Sequence, residues 1–168
     1  MLTEESQYSD DHLLQQIAAG NTDALGKIIS RYQGQVLTLA YRSVQNWSDA
    51  EDIAQEAFVR VFKSACRFQG HSVFKTWLYR IVVNLCIDNQ RSKKSNISLD
   101  TIALSIEAKH NPDLLETKEI SQIVQNAIQN LPEHQKVALI LHRYENLSHA
   151  EISAVTGWTK SAVESLLV

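Results

Sequence analysis

Proline and glycine are scarce in this sequence of 168 residues, which contains two prolines and five glycines. Because the tight turns between short strands depend on these residues, their scarcity disfavours an all-β fold and favours long helices. No apolar run approaches the ~20 residues that a membrane-spanning helix needs. The polar and acidic segment 1–11 lacks the features of a secretory signal. We therefore expect a helical protein located in the cytoplasm.

The sequence also lacks the residue patterns of catalysis and of metal binding. Its two cysteines, Cys66 and Cys86, form no CxxC pair, and its six histidines do not have metal-ligand spacing. Neither a nucleophile–base motif nor a glycine-rich phosphate loop is present. We therefore expect no enzymatic activity, and no catalytic residue, metal, cofactor or small-molecule substrate. Both cysteines are expected to be free thiols buried in apolar helical surroundings.

Charge is distributed unevenly along the chain, although the net charge is only −3. Residues 59–94 contain eight lysines and arginines but one acidic residue. The flanking segments are acidic, with nine acidic against three basic residues in 1–58, and nine against five in 95–168. A basic block within an acidic chain is typical of local nucleic-acid contact, and a solvated helical face is the alternative interpretation.

Apolar periodicity predicts four helices in the first half of the chain. The third is expected over about 49–65, where Ser48 and Glu51 have the spacing of a capping box. The fourth and longest is expected over about 72–92, after a break rich in polar residues.

The second half of the chain begins with a change of pattern. Segment 95–111 is weakly patterned and predicts a flexible linker between domains. Pro112 fits the first turn of a helix, and four helices are expected from there to the end of the sequence. The predicted fold is all-α, with a first domain at 1–94, the linker at 95–111, and a second domain at 112–168.

The fourth predicted helix has an apolar face, which includes Phe74 and Leu85, and a second, polar face. Aromatic, cationic and amide side chains recur on the polar face at offsets of three or four: Trp77, Arg80, Asn84, Asp88 and Arg91. Aromatic rings stack on unpaired bases, cations neutralise phosphates, and amides read base edges. Lys75, Lys93 and Lys94 add positive charge near the two ends. This stripe predicts a surface for single-stranded DNA, and an amphipathic helix with its tryptophan in the core is the alternative.

The last segment, Leu147–Val168, predicts a helix-turn-helix motif. Ser148 and Thr159 can cap its two helices, and Gly157 lies at the turn between them. The second helix would enter the major groove with four polar side chains near DNA: Lys160, Ser161, Glu164 and Ser165. A purely structural helical hairpin is the alternative. Because the sequence ends within this second helix, the motif is expected to be truncated.

Several separated segments resemble the extracytoplasmic-function (ECF) family of bacterial RNA polymerase sigma factors. Asp49–Phe62 resembles the polymerase-binding helix of that family. Arg67–Gly70 and Phe74–Asn84, the second reading FKTWLYRIVVN, resemble its segment for promoter melting and for reading the −10 element. Leu131–Leu139 and the helix-turn-helix motif are similar to its second domain. The resemblance covers nearly the whole chain and implies a two-domain transcription initiation factor.

The resemblance implies a role for each matching position. Five residues of the third helix would face the clamp helices of the polymerase largest subunit: Asp49, Asp52, Gln55, Glu56 and Arg60. A loop in front of the fourth helix would hold a base flipped from the non-template strand: Phe68, Gln69, Gly70, His71 and Ser72. Asn84 would assist this loop, while Trp77 and Arg80 would line the melted strand. Lys160, Ser161 and Ser165 would approach the −35 element, and His71 either contacts DNA or is solvated.

The resemblance also implies three partners: core RNA polymerase, promoter DNA and an anti-sigma factor. Anti-sigma factors of this family are often membrane-anchored, which would hold the protein at the inner membrane. Two other classes of protein remain open on the residues alone. A dimeric helix-turn-helix repressor or activator would explain the last segment but would leave the acidic third helix without a role. A helical adaptor that binds only other proteins is the third interpretation.

Overall fold

The computed structural model describes residues 9–68, 73–97 and 123–168. Within these ranges the protein contains eight α-helices, a short 3₁₀ turn at Ala65–Arg67, and no β-strand. The helices are α1 (Asp10–Ala18), α2 (Thr22–Val44), α3 (Trp47–Ser64), α4 (Phe74–Ile97), α5 (residues 123–129), α6 (Glu133–Arg143), α7 (His149–Thr156) and α8 (Lys160–Leu167). The all-α fold predicted from the sequence is confirmed.

Polar side chains cap the helices, although not always those expected from the sequence. Ser148 and Glu151 form the predicted capping box of α7, each accepting a hydrogen bond from the other's backbone N–H. The predicted box at the start of α3 is wrong. The Asn46 side chain accepts a hydrogen bond from the backbone N–H of Asp49 at 2.9 Å, so α3 begins at Trp47, before the predicted start.

The region between the two domains is described only in part. Helix α4 continues to Ile97, so residues 95–97 are helical rather than part of the predicted linker. The remainder of that linker, 98–111, lies outside the described residues, as does the predicted helix start at Pro112. Residues 123–129 form α5, which ends before Pro132.

The buried residues of both domains belong to one continuous apolar cluster. In the first domain α2 packs against α1, α3 and α4, whereas in the second domain α8 packs against α6 and α7. The two groups meet where α7 lies along α4 and α6 touches α2. Helix α4 is therefore buried over a wide arc that includes Leu78, Tyr79, Val82, Val83 and Cys86, each at most 2% exposed.

The prediction for the two cysteines is half correct. Cys86 is 1% exposed within α4, and burial raises the pKa of its thiol to about 12. Cys66 is exposed, and it lies in the 3₁₀ turn where the chain leaves α3. None of the described helices combines the length and the apolar character that would be needed to cross a membrane.

Candidate protein-docking and nucleic-acid interfaces

One face of α3 carries the five residues predicted to bind a protein partner. Asp52, Gln55 and Arg60 are exposed, while Asp49 and Glu56 are half-buried. Their offsets of three and four place Asp52 and Gln55 opposite the buried side of α3, and Asp49, Glu56 and Arg60 along its edge. The buried side contains Ala50, Ile53, Ala57 and Val61. Glu56 and Arg60 form an ion pair of 2.9 Å along the helix. This face is therefore mixed in charge, with acidic side chains dominating its first half.

Two apolar side chains on the same face of α3 were missed by the sequence interpretation. Val59 is 41% exposed and Phe62 is 44% exposed. Phe62 is exposed although Phe58, one helical turn before it, is only 7% exposed. The signal was available in the spacing, because Phe62 follows buried Val61 by one residue and is rotated about 100° away from it. An exposed aromatic among charged residues is typical of a protein-binding surface.

The polar stripe on α4 is continuous on one side of the helix. Arg80, Asn84, Asp88 and Arg91 are all exposed, as their helical spacing predicts. Trp77 is half-buried, and its ring lies 5.2 Å from that of Phe68 and 5.9 Å from that of Phe74 between centroids. Trp77 therefore anchors its ring in an aromatic cluster while keeping part of it accessible, so that it combines features of both sequence interpretations.

The cations of α4 are engaged with other parts of the chain. Arg80 donates to the backbone carbonyl of Ala154 in α7, and Lys93 contacts the carboxylate of Asp49 in α3. Arg91 lies 3.5 Å from Glu133 of α6. The Lys75 ammonium lies over the ring of Tyr79, at 5.1 Å from the ring centroid.

Part of the predicted DNA-binding set cannot be placed. Gln69, Gly70, His71 and Ser72 lie outside the described residues, and so does the side chain of Lys94. Phe68, which precedes Gln69 in the sequence, is half-buried against the aromatic cluster on α4.

The four side chains predicted to face duplex DNA lie on an exposed side of α8. Lys160, Ser161, Glu164 and Ser165 are exposed, and they are opposite Val163, which is fully buried. The Ser165 hydroxyl donates to the backbone carbonyl of Ser161 at 3.0 Å, and Glu164 lies 3.8 Å from a ring nitrogen of His149 in α7.

The turn between α7 and α8 has the geometry of a helix-turn-helix motif. Gly157 has a φ of 78°, a left-handed conformation that glycine adopts without strain. The Ser153 hydroxyl donates to the backbone carbonyl of Trp158 at 2.5 Å and ties α7 to the turn. The rings of Trp158 and His134 are 4.7 Å apart between centroids, which joins the turn to α6. These contacts fix the position of α8 relative to α6 and α7, with its polar side exposed.

The residues described here contain no group of three histidine, cysteine, aspartate or glutamate side chains that could hold a metal ion. The surfaces on α3, α4 and α8 carry rows of charged and polar groups, with aromatic rings on α3 and α4, and such rows are typical of protein and nucleic-acid binding.

Two family models match the chain, one over each domain. The model of Sigma-70 region 2 matches residues 28–96, and that of Sigma-70 region 4 matches residues 121–168. The first contains α3 and α4, and the second contains the helix-turn-helix motif.

Characterised relatives match the chain over most of its length. RNA polymerase sigma-H factor of Pseudomonas aeruginosa is 33% identical, covering 92% of this chain and 84% of that protein. ECF RNA polymerase sigma factor SigW of Bacillus subtilis is 33% identical, covering 84% of this chain and 82% of its own. ECF RNA polymerase sigma-E factor of Escherichia coli is 32% identical, covering 95% and 88% respectively.

Solved structures share the fold at lower sequence identity. CnrH, in complex with the cytosolic domain of CnrY, matches with a TM-score of 0.67 and 24% identity over 94% of this chain and 89% of that chain. The sigma factor RpoE of Bartonella quintana, in complex with the anti-sigma factor NepR, matches with a TM-score of 0.68 and 19% identity over 84% of this chain and 88% of its own.

Proposed function

The chain belongs to the ECF family of RNA polymerase sigma factors, which are transcription initiation factors and not enzymes, and from this premise we propose how its surfaces divide the work. Helix α3 docks the protein on core RNA polymerase, α4 and the loop before it capture the melted −10 strand, and α8 contacts the −35 element. Family membership favours this assignment over a dimeric repressor and over a protein-binding adaptor.

The exposed face of α3 is the observation that carries the proposal. Its acidic residues suit a basic partner surface, and complementary charge accelerates encounter and sets orientation. Val59 and Phe62 supply an apolar centre, which protein interfaces need because charged rims alone contribute little free energy of binding. Buried Ala57 and Val61 fix this face outward by holding the opposite side of α3 in the core.

The stripe on α4 supports the role in strand capture. Stacking of a base on an aromatic ring contributes about 1–3 kcal/mol, similar to the few kcal/mol needed to unstack a base from duplex DNA. The half-exposed ring of Trp77 is available for such stacking, and Asn84 follows it by two helical turns on the same side. The phosphates would be neutralised by Arg80, Arg91 and the lysines at the two ends of the helix.

An anti-sigma factor is the proposed regulatory partner. The two solved relatives in complexes, CnrH with CnrY and RpoE with NepR, support it, because RpoE is bound there to a protein described as an anti-sigma factor. We place the protein in the cytoplasm, where it meets polymerase, and at the inner membrane whenever its anti-sigma factor is anchored there.

Binding to core RNA polymerase tests the proposal most directly. The purified chain, labelled at its N-terminus, is titrated with bacterial core polymerase and followed by fluorescence anisotropy. Glu56→Arg reverses a charge in the docking face, and we expect it to weaken binding by about 30-fold or more, since disrupted interfacial charge pairs cost 2–5 kcal/mol. Asp23→Arg is the control for charge reversal at another site, because Asp23 is an exposed acidic residue of α2.

Each result of that titration has a definite meaning. Tight binding of wild type and of Asp23→Arg, with weak binding of Glu56→Arg, supports α3 as the docking face. Equal binding of all three chains places the docking surface elsewhere. No binding by a wild-type chain that circular dichroism shows to be helical contradicts the proposed function.

A further inference from the structure

Glu145 joins the two domains at a single carboxylate. It lies between α6 and α7, and its side chain is only 11% exposed. Its Oε2 accepts a hydrogen bond of 2.7 Å from the hydroxyl of Tyr79 in α4, and its Oε1 lies 3.2 Å from Arg42 in α2. The Arg42 guanidinium also lies over the ring of Tyr144, 4.6 Å from its centroid. One side chain of the second domain therefore binds two helices of the first.

The chemistry of this contact makes it strong when formed and costly when broken. A hydrogen bond to a charged group is roughly twice as strong as a neutral one. A carboxylate left without partners at a buried position is strongly destabilised. Burial, followed by the hydrogen bond to Glu145, raises the pKa of Tyr79 well above its ordinary value, so this hydroxyl stays protonated and donating near neutral pH.

The same contact places α7 on the proposed strand-binding helix. Arg80, which the proposed function assigns to the melted strand, donates instead to the carbonyl of Ala154 at the end of α7. Arg91 faces Glu133 of α6 at 3.5 Å. A carbonyl oxygen and a carboxylate of the second domain thus occupy positions that DNA phosphates would take on these two cations.

We propose that Tyr79, Glu145 and Arg42 form an autoinhibitory latch, which holds the second domain against α4 in the free chain and must open before α4 binds a DNA strand. The latch rests on the proposed function in that it takes α4 as the strand-binding surface. It lowers DNA affinity in proportion to the fraction of molecules that are closed. Polymerase binding through α3 is independent of it, because the latch residues lie on other elements.

The chain contains a matched control for this latch within its first domain. Tyr32 donates a hydrogen bond of 2.5 Å to Asp10, which also pairs with Arg31 at 2.5 Å. This second set repeats the tyrosine, carboxylate and arginine of the latch but joins α1 to α2. Tyr79→Phe and Tyr32→Phe therefore remove the same hydroxyl from the same kind of contact, and only the first lies between domains.

Energy transfer between one dye on each domain reports whether the latch is closed, in the absence of DNA. Cys66 is exposed, whereas Cys86 is buried with a raised pKa, so Cys66 and an introduced Ala150→Cys on α7 provide two reactive thiols. We expect Tyr79→Phe and Glu145→Gln to lower the transfer efficiency between dyes on these thiols. Tyr32→Phe should leave it unchanged. Circular dichroism of each variant checks that the helices remain folded.

The masking of α4 by the second domain is measured by DNA binding. Unlabelled protein is titrated at low salt into a short fluorescent single-stranded DNA of random sequence. We expect Tyr79→Phe to bind this probe about tenfold more tightly than wild type or Tyr32→Phe, as loss of one charged hydrogen bond predicts. Unchanged transfer in Tyr79→Phe and Glu145→Gln would overturn the latch, and so would opened domains with unchanged DNA affinity. The polymerase titration is scored separately, so failure of the docking proposal is distinguishable from failure of the latch.

Discussion

Helices α3 and α4 both carry a row of side chains with a proposed function, but the two rows differ in how far they contact other helices. On α3 the exposed side chains of Asp52, Gln55 and Phe62 face solvent, and the ion pair of Glu56 lies within the helix itself. On α4 the cations at both ends of the stripe contact other helices, as Arg80 does with α7 and Lys93 with α3. Of the five residues proposed for docking, Asp49 contacts another helix, whereas in the proposed strand-binding stripe both Arg80 and Arg91 contact the second domain.

This difference implies an order of events for the chain. Under the proposed roles, docking on polymerase would disturb the contact of Asp49 with Lys93, while strand capture requires α7 to leave α4. Since a closed population reduces apparent affinity for the strand, the free protein should ignore most DNA and gain affinity for it once the domains separate. An acidic second domain lying on a basic helix is an economical way to keep the free protein from binding DNA nonspecifically.

The largest effect is expected from replacing the two phenylalanines of α3 one at a time. Phe58→Ala removes a side chain that is 7% exposed, and we expect it to lower the free energy of unfolding by about 3–5 kcal/mol. Phe62→Ala removes one that is 44% exposed, so we expect little loss of stability but about tenfold weaker polymerase binding. Urea unfolding and the anisotropy titration measure the two quantities. Equal destabilisation by both variants would show that Phe62 does not belong to the exposed face of α3.

A smaller effect is expected on α4, and it should appear only after docking. Trp77→Ala and Asn84→Ala are expected to reduce promoter opening by polymerase about 5- to 100-fold, the range of one lost stacking or base-edge contact. Both should leave polymerase binding intact, because neither residue belongs to α3. Permanganate reactivity of the opened thymines measures strand separation. Gln90→Ala is a control on the same helix, as its side chain donates to Ser43 within the first domain. A permanganate pattern unchanged in Trp77→Ala would remove the stripe from strand capture.

The outward orientation of the charged residues on α3 was largely predictable from sequence, because it follows from the helical spacing of buried and polar residues. The spacing of Ala57 and Val61 identifies the buried side, and the acidic residues at three- and four-residue offsets must then lie outside it. What failed on this helix also has a local cause. Asn46 and Ser48 are both good capping residues, and only the backbone decides that Asn46 is used.

The engaged state of α4 was not predictable from sequence, because it depends on contacts between distant segments. Glu145 is one acidic residue in a loop, and nothing near it in the chain indicates that it meets Tyr79, 66 positions earlier. Tyr79 also gives no local signal of this contact, because it fits the pattern of apolar and polar residues along α4. The spacing of the stripe is local and places its polar side chains on an exposed side of α4, but the packing of α7 against α4 depends on contacts between distant segments.

The smallest effect concerns the thiols at the end of α3 and in the middle of α4, and it reports on the packing of α4 alone. Above pH 9 the Cys86 thiol ionises in the unfolded chain, while burial keeps it neutral in the folded protein up to about pH 12. Its contribution to stability is therefore fully present below pH 9 and is lost as the pH rises towards 12. Between pH 9 and pH 10 this single group should lower the free energy of unfolding by about 1 kcal/mol.

Urea unfolding of wild type and Cys86→Ala at these two pH values measures that loss as a difference of differences, which cancels the common titration of tyrosines and lysines. Cys66→Ala is the control, and we expect it to retain the wild-type pH dependence because Cys66 is exposed. An identical pH dependence in all three chains would mean that the interior of α4 admits water, which would contradict its tight packing between the first domain and α7. A dependence lost only in Cys86→Ala would show that α4 is closed on its buried side even though its polar stripe must open.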